Sequence, residues 1–135
     1  MSVLVDSSAL YALLDADDRN HGSARRFLQT EGSRTRFVTH QYVIVETIAL
    51  VQRRIGIEAV RAIGRLLDIV DLRPVDRDLH DRALTALLGA QRQQISFVDW
   101  TSFTLMRDLG LRVAFTFDRD FVDQGFEVIP DWSEG

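Results

Sequence analysis

Short apolar runs typical of buried strands alternate with helical patterns along this sequence. The first run is Val3–Val5, and a helix pattern over residues 7–14 follows it. Further strand patterns lie at residues 37–39, 68–75, 112–117 and 126–129. Strands that alternate with helices over short connections form a largely parallel sheet, covered by helices on both faces through right-handed crossovers. The sequence therefore predicts an α/β fold.

The length and composition favour one globular unit. The chain has 135 residues, of which 46% are hydrophobic and 27% charged, and we expect residues 1–135 to form a single domain. A basic leader is absent, and Asp6 interrupts the first apolar stretch, so neither a signal peptide nor a membrane span is expected. There is no cysteine, which excludes disulfides and thiolate sites and favours a cytoplasmic location.

All basic residues of the chain are arginines, since lysine does not occur. This excludes a Walker lysine, Schiff-base chemistry and the lysine that receiver domains need. The net charge of −4 argues against nucleic-acid binding unless some of the acids hold a metal ion. Four metal-binding acids would account for the whole acidic excess.

Two acids directly follow strand patterns. Asp6 comes after the first strand and Asp118 after the pattern at 112–117, and ligands of parallel sheets gather at these carboxyl ends. Each also has a local interpretation. Asp6 is a candidate N-cap of the following helix, although Ser7 or Ser8 could cap it equally well, and Asp118 is a candidate turn residue. Asp120 is the other candidate for the role of Asp118, but it lies farther from the strand.

Two further acids lie on predicted helices. Ser96-x-x-Asp99 matches a capping box at the start of an apolar helix, which does not prevent Asp99 from also binding a ligand. Glu46 lies on the nearly apolar helix pattern 43–54, where a carboxylate needs a partner. A salt bridge to Arg53, two turns later, is the structural alternative.

Together these four acids suggest one metal site. Clustered carboxylates raise one another's pKa unless a cation is present. Because the candidate ligands are all oxygen atoms, with neither Cys nor His among them, Mg²⁺ or Mn²⁺ suits the set better than zinc.

Four fragments, VLVDSSAL, VIVE, SFVD and TFDRDF, resemble in order and spacing those of PIN-domain nucleases, and most closely the VapC toxins of bacterial toxin–antitoxin modules. The resemblance covers essentially the whole chain. It implies a three-layer α/β/α sandwich with a mainly parallel central sheet. The family's catalytic and metal-binding acids correspond to Asp6, Glu46, Asp99 and Asp118. Thr116 matches a frequent Ser or Thr that orients a carboxylate, and Ser7 and Asp120 are further candidates for supporting these acids.

The implied activity is Mg²⁺-dependent endoribonuclease cleavage by a metal-activated water, with Mn²⁺ as the other candidate ion. The resemblance also implies a VapB-like antitoxin partner and a homodimer. One alternative is a PIN-type nuclease that processes RNA or cleaves DNA without a toxin role. Another is a non-catalytic, receiver-like or binding domain.

Arginines are the candidate RNA contacts, because the chain offers no lysine. Arg25, Arg26 and Arg53 are singled out among them. The three histidines, His21, His40 and His80, show no metal-ligand spacing and are expected on the surface or in turns.

Overall fold

The computed structural model of the chain describes residues 1–131. The strands are β1 (Ser2–Val5), β2 (Arg36–His40), β3 (Val70–Arg73), β4 (Val113–Phe115) and β5 (Glu127–Ile129). The helices are α1 (Ser7–Leu14), α2 (His21–Glu31), α3 (Gln41–Arg54), α4 (Ile57–Leu66), α5 (Arg77–Gly89), α6 (Phe97–Leu109) and α7 (Asp120–Asp123). Two short 3-10 turns, Gly32–Arg34 and Leu67–Ile69, precede β2 and β3.

The five strands form one sheet in the order β3-β2-β1-β4-β5, and every neighbouring pair is parallel. In the centre, Leu4 of β1 pairs with Val38 on one side and Ala114 on the other. The chain moves outwards from β1 to β3 on one side and then crosses to β4 on the other. The sheet thus has a topological switch point between β1 and β4, where ligands of such folds bind.

The side chains of β1 alternate between two cores. Val3 and Val5 pack with residues of α1, α2, α3 and α4. Leu4 faces the opposite way and packs with residues of α5, α6 and α7. Because both faces of the sheet are covered, the central strand β1 is apolar over Val3–Val5, as the sequence predicted. The three-layer α/β/α sandwich is confirmed.

Local signals account for several of the helix ends. Asp76 begins α5 by accepting a hydrogen bond from the Leu79 N–H, and Ser96 caps α6 in the same way. Gly110 ends α6 in the left-handed conformation, with φ 69°, which favours glycine. No helix within residues 1–131 is long and apolar enough to cross a membrane.

The structure differs from the sequence prediction in several element bounds. The strand expected at 112–117, for example, covers only Val113–Phe115. The strand expected at 68–75 is shorter, since Leu67–Ile69 is a 3-10 turn that closes α4 before β3 begins. The cause is that the last carbonyls of a helix are often satisfied by such a tightened turn. The short helix α7 was not predicted.

Candidate metal centre

Four segments bring acidic side chains to the carboxyl end of the sheet. Asp6 directly follows β1, and Asp118 lies three residues beyond β4, the neighbouring strand. Asp99 is in the first turn of α6, and Glu46 is in the second turn of α3, which follows β2. The switch point of the sheet is thus lined with acids.

Three of these acids form a compact group. Asp6, Asp99 and Asp118 each offer a carboxylate oxygen, and the three oxygens lie within 4.8 Å of one another. Asp6 is only 1% exposed and Asp99 8% exposed, while Asp118 is half-buried. Residues separated by more than 110 positions in the chain therefore share one pocket.

The two oxygens of Asp6 have different surroundings. Oδ2 accepts hydrogen bonds from Ser8 Oγ at 2.7 Å and from Thr116 Oγ1 at 2.8 Å, and it also caps α1 through the Ser8 N–H at 3.4 Å. Oδ1 is buried and has no hydrogen-bond partner among the residues that the structure describes. Asp6 is thus both a helix cap and a carboxylate with one free buried oxygen.

The same hydroxyl groups hold the loop after β4. Thr116 Oγ1 accepts from the Asp118 N–H at 2.9 Å, and Ser8 Oγ accepts from the Phe117 N–H at 2.9 Å. Asp118 Oδ1 in turn accepts from the Asp120 N–H at 2.9 Å. Thr116 and Asp120 therefore lie next to the acids, as expected, whereas the part of Ser8 in the site was not predicted from the sequence.

Glu46 lies at the edge of the group. Its Oε1 accepts a hydrogen bond of 2.5 Å from Ser7 Oγ, which places Ser7 beside this acid. Within residues 1–131 Glu46 forms no ion pair with Arg53, so the structural alternative of a salt bridge is wrong. Glu46 is half-buried, and its charge reaches Asp99.

The protonation of the group reflects crowding in a dry pocket. Burial, followed by the charges of Asp6, Asp118 and Glu46, raises the pKa of Asp99 to about 8. Burial also raises the pKa of Asp6, although the hydrogen bonds from Ser8 and Thr116 oppose this shift. The pKa of Asp120 is raised by burial and by the charge of Asp118.

Asp99 takes part both in the cap of α6 and in the acidic group, two arrangements that the sequence analysis found compatible. Its backbone N–H donates to Ser96 Oγ at 3.1 Å, which is the predicted cap of α6. Its carboxylate nevertheless belongs to the group with Asp6 and Asp118. The helix N-terminus beside it favours an anion, which partly offsets the cost of burying that carboxylate.

The site fits a hard divalent cation. The group provides three carboxylate oxygens close together, and the buried Asp6 Oδ1 lacks a donor within the described part of the chain. A cation at this point would supply the missing partner and relieve the repulsion that raises the pKa of Asp99. An all-oxygen donor set is the one that Mg²⁺ and Mn²⁺ prefer.

The histidine prediction is wrong for His40, which ends β2 and is fully buried. Its Nδ1 accepts from the Tyr42 N–H at 3.2 Å and so caps α3, and its Nε2 lies 2.8 Å from Ser102 Oγ on α6. In the sequence, a histidine at a junction between a strand and a helix is typical of a surface residue. Its burial depends on α6, which is distant in the sequence.

The three candidate RNA-binding arginines lie outside the acidic group. Arg25 and Arg26 are exposed on α2, and Arg25 lines a groove with His21 and Arg65 that includes none of the four acids. Arg53 is exposed near the end of α3, seven residues beyond Glu46.

Comparisons with known proteins agree with this geometry. The PIN domain family model matches residues 3–127. The chain is 37% identical over 132 residues to the 23S rRNA-specific endonuclease VapC20 of Mycobacterium tuberculosis, covering 96% of this chain and 99% of the relative.

Solved structures give the same result. The crystal structure of M. tuberculosis VapC20, described as a sarcin-ricin loop cleaving toxin, has a TM-score of 0.84 and 36% identity over 92% of this chain and 95% of that one. VapBC2 from Rickettsia felis, crystallised with a DNA fragment from its promoter, has a TM-score of 0.71 at 10% identity over 95% of this chain and 97% of that one, which shows a shared fold. The chain therefore belongs to the PIN-domain family and, within it, to the VapC-type toxin endoribonucleases.

Proposed function

We propose that Asp6, Asp99 and Asp118 hold a divalent cation and that this chain cleaves RNA at that site. The observation that carries the proposal is the buried Asp6 Oδ1, which lacks a hydrogen-bond donor among residues 1–131. A buried carboxylate oxygen without a partner is costly, and two further carboxylates within 4.8 Å increase that cost. A cation offsets both costs at once.

Hydroxyl side chains of this chain position the acids of the site. Ser8 and Thr116 hold Asp6 through Oδ2, which leaves Oδ1 for the ion. Ser7 fixes Glu46 at the edge of the group, where Glu46 completes or orients the ligand set. When bound, the ion lowers the pKa of a water and neutralises charge on the departing oxygen. Mg²⁺ is the proposed ion, and Mn²⁺ is the substitute that the same ligands accept.

The proposed substrate is large-subunit ribosomal RNA. The support is the 37% identity over nearly the whole chain to an endonuclease named for 23S rRNA. The exposed guanidinium groups of Arg25, Arg26 and Arg53 are the proposed contacts to RNA phosphates.

We further propose that residues 1–135 act as one nuclease domain in the cytoplasm, under control of a VapB-like antitoxin. A homodimer is the proposed assembly, and exposed apolar side chains such as Leu88, which is 77% exposed, are available to a second copy. Light scattering of the purified protein, alone and co-expressed with its antitoxin, tests the homodimer and the antitoxin complex.

Incubation of purified protein with total RNA tests the proposed chemistry. Cleavage is expected with Mg²⁺ or Mn²⁺ and is expected to stop in EDTA, and mapping of the new ends should place them in large-subunit RNA. Asp6→Asn should abolish cleavage without lowering the thermal stability of the protein. Asp17→Asn, at an exposed position, is the matched control. Equal rates for Asp6→Asn and wild type would overturn the proposal.

A further inference from the structure

An apolar pocket lies beside the acidic group, between α3 and α6. It has a volume of about 270 Å³ and is lined by Tyr42, Val45, Glu46, Phe97 and Val98. Glu46 belongs both to this pocket and to the edge of the acidic group, and Val98 directly precedes Asp99 in the chain. The pocket therefore adjoins the proposed site of cleavage at Glu46.

Aromatic rings form one wall of the pocket. The centroids of Tyr42 and Phe97 lie 5.7 Å apart, and His80 of α5 packs edge-on against both, at 5.9 Å from Tyr42 and 5.1 Å from Phe97. The hydroxyl of Tyr42 lies 2.6 Å from His80 Nδ1. Because that hydroxyl already has a partner, the ring is the part of Tyr42 that remains for a ligand.

The pocket is open to solvent in the described structure. Tyr42 and Phe97 are only half-buried, and Val45 is 65% exposed. Exposed apolar surface beside a polar catalytic group often marks a ligand site. The two neighbouring surfaces suit the two parts of a nucleotide. The acids attract a cation and, through it, the phosphate, while the aromatic rings offer apolar faces to the base.

We propose that this pocket binds the nucleobase of a nucleotide adjacent to the scissile phosphate. RNA that is cut at the acidic group must pass over its edges, and Glu46 forms the edge shared with the pocket. A base has apolar faces that stack on aromatic side chains, and such stacking is tolerant of sequence. The inference rests on the proposed function, since it requires RNA to lie across these acids.

Binding measurements with two variants of Tyr42 test the proposal. Tyr42→Leu removes the ring, and Tyr42→Phe keeps the ring but removes the hydroxyl that contacts His80. In an Asp6→Asn background that binds without cutting, Tyr42→Leu should weaken RNA binding by roughly 10-fold, and Tyr42→Phe should bind more tightly than Tyr42→Leu. Leu109→Ala, an exposed apolar position at the far end of α6, is the matched control and should leave RNA affinity unchanged.

RNA oligonucleotides with a single abasic nucleotide identify the contact. At one position beside the cleavage site, removal of the base should weaken binding to the parent protein by about the same factor as Tyr42→Leu does, and the two changes together should cost no more than either one alone. Phe97→Leu provides a second variant with the same expectation. Thermal unfolding of each variant shows whether it is folded.

Several outcomes overturn the proposal. One is additivity of Tyr42→Leu with the abasic change at every position. Another is a loss of affinity in Tyr42→Phe as large as in Tyr42→Leu, which assigns the effect to the hydroxyl. A third is a change of oligomeric state in Tyr42→Leu, which shows that a second copy covers the pocket. Failure of the wild type to cleave RNA with Mg²⁺ would instead overturn the proposed function. The binding assay tests the pocket separately, because it does not require cleavage.

Discussion

His40 Nε2 lies 2.8 Å from Ser102 Oγ, and this buried contact joins the start of α3 to the middle of α6. Ser102 donates its own proton to the Val98 carbonyl at 3.2 Å, so its oxygen accepts from His40. His40 Nδ1 accepts from the Tyr42 N–H, and burial lowers the pKa of His40 to about 4, which keeps the ring neutral. The neutral ring thus connects the two helices that carry Glu46 and Asp99.

Ser102→Ala should therefore destabilise the protein. The change leaves the buried Nε2–H of His40 without its acceptor, which costs about 1–3 kcal/mol of unfolding free energy. Urea unfolding at pH 7 measures the loss. Thr101→Val is the matched control, because Thr101 is equally buried on α6 and its hydroxyl bonds to the Phe97 carbonyl of the same helix. Equal losses in both variants would show that the contact with His40 has no special importance.

The metal-free protein should lose stability as the pH rises. The folded-state pKa of Asp99, about 8, lies above its ordinary value of 3.8, so its contribution to stability is fully present below about pH 4 and is lost as the pH rises towards 8. Asp99→Asn removes this proton linkage. In EDTA at pH 8 we expect Asp99→Asn to be more stable than wild type by on the order of 2 kcal/mol. Thermal unfolding between pH 5 and 8 checks this, and parallel curves for the two proteins would contradict it.

Metal binding should release protons. Since Asp6 and Asp99 have raised pKa values, a cation that binds their charged forms displaces protons at neutral pH. Calorimetric titration with Mn²⁺ at pH 7, in two buffers of different ionisation enthalpy, measures the number released. Metal should also raise the melting temperature of the wild type but not of Asp6→Asn. Identical heats in the two buffers would show that the acids are already ionised.

Ser8→Ala should weaken metal binding more than Ser7→Ala does. Ser8 donates to Asp6 Oδ2 and also accepts from the loop that carries Asp118, whereas Ser7 contacts Glu46 at the edge of the site. Loss of a group that orients a metal ligand typically costs 10-fold to 100-fold in affinity or activity, and we expect Ser8→Ala to lose about 10-fold in Mn²⁺ affinity. Equal affinities of the two variants would argue against this division of roles.

The sequence predicted the fold well because its main signal is periodic. Alternating strand and helix patterns imply a parallel sheet, and Val3 and Val5 face the core opposite to that of Leu4, as a buried strand requires. The start of β3 was misplaced because the alternating pattern of the strand extends back into Leu67–Ile69, which is too short a segment to separate a 3-10 turn from a strand.

The acids of the site were predictable because position along the chain determines where they lie. Asp6 and Asp118 follow strands that pair with each other, so they share one edge of the sheet. Their hydrogen-bond partners were less predictable. Ser7 and Ser8 are adjacent serines that the sequence does not distinguish. The tertiary packing determines that Ser8 donates to Asp6 and Ser7 to Glu46.

The hydrogen bond from Thr116 to Asp6 spans 110 positions of the chain, and it also has a consequence for the order of events during synthesis. A nascent polypeptide that has not yet emerged as far as Asp118 lacks one of the three clustered carboxylates and the threonine that orients another. Closure of so long a loop has an entropic cost that must be met before the contact forms. The acidic group of this toxin endoribonuclease is therefore complete only once translation has passed Asp118.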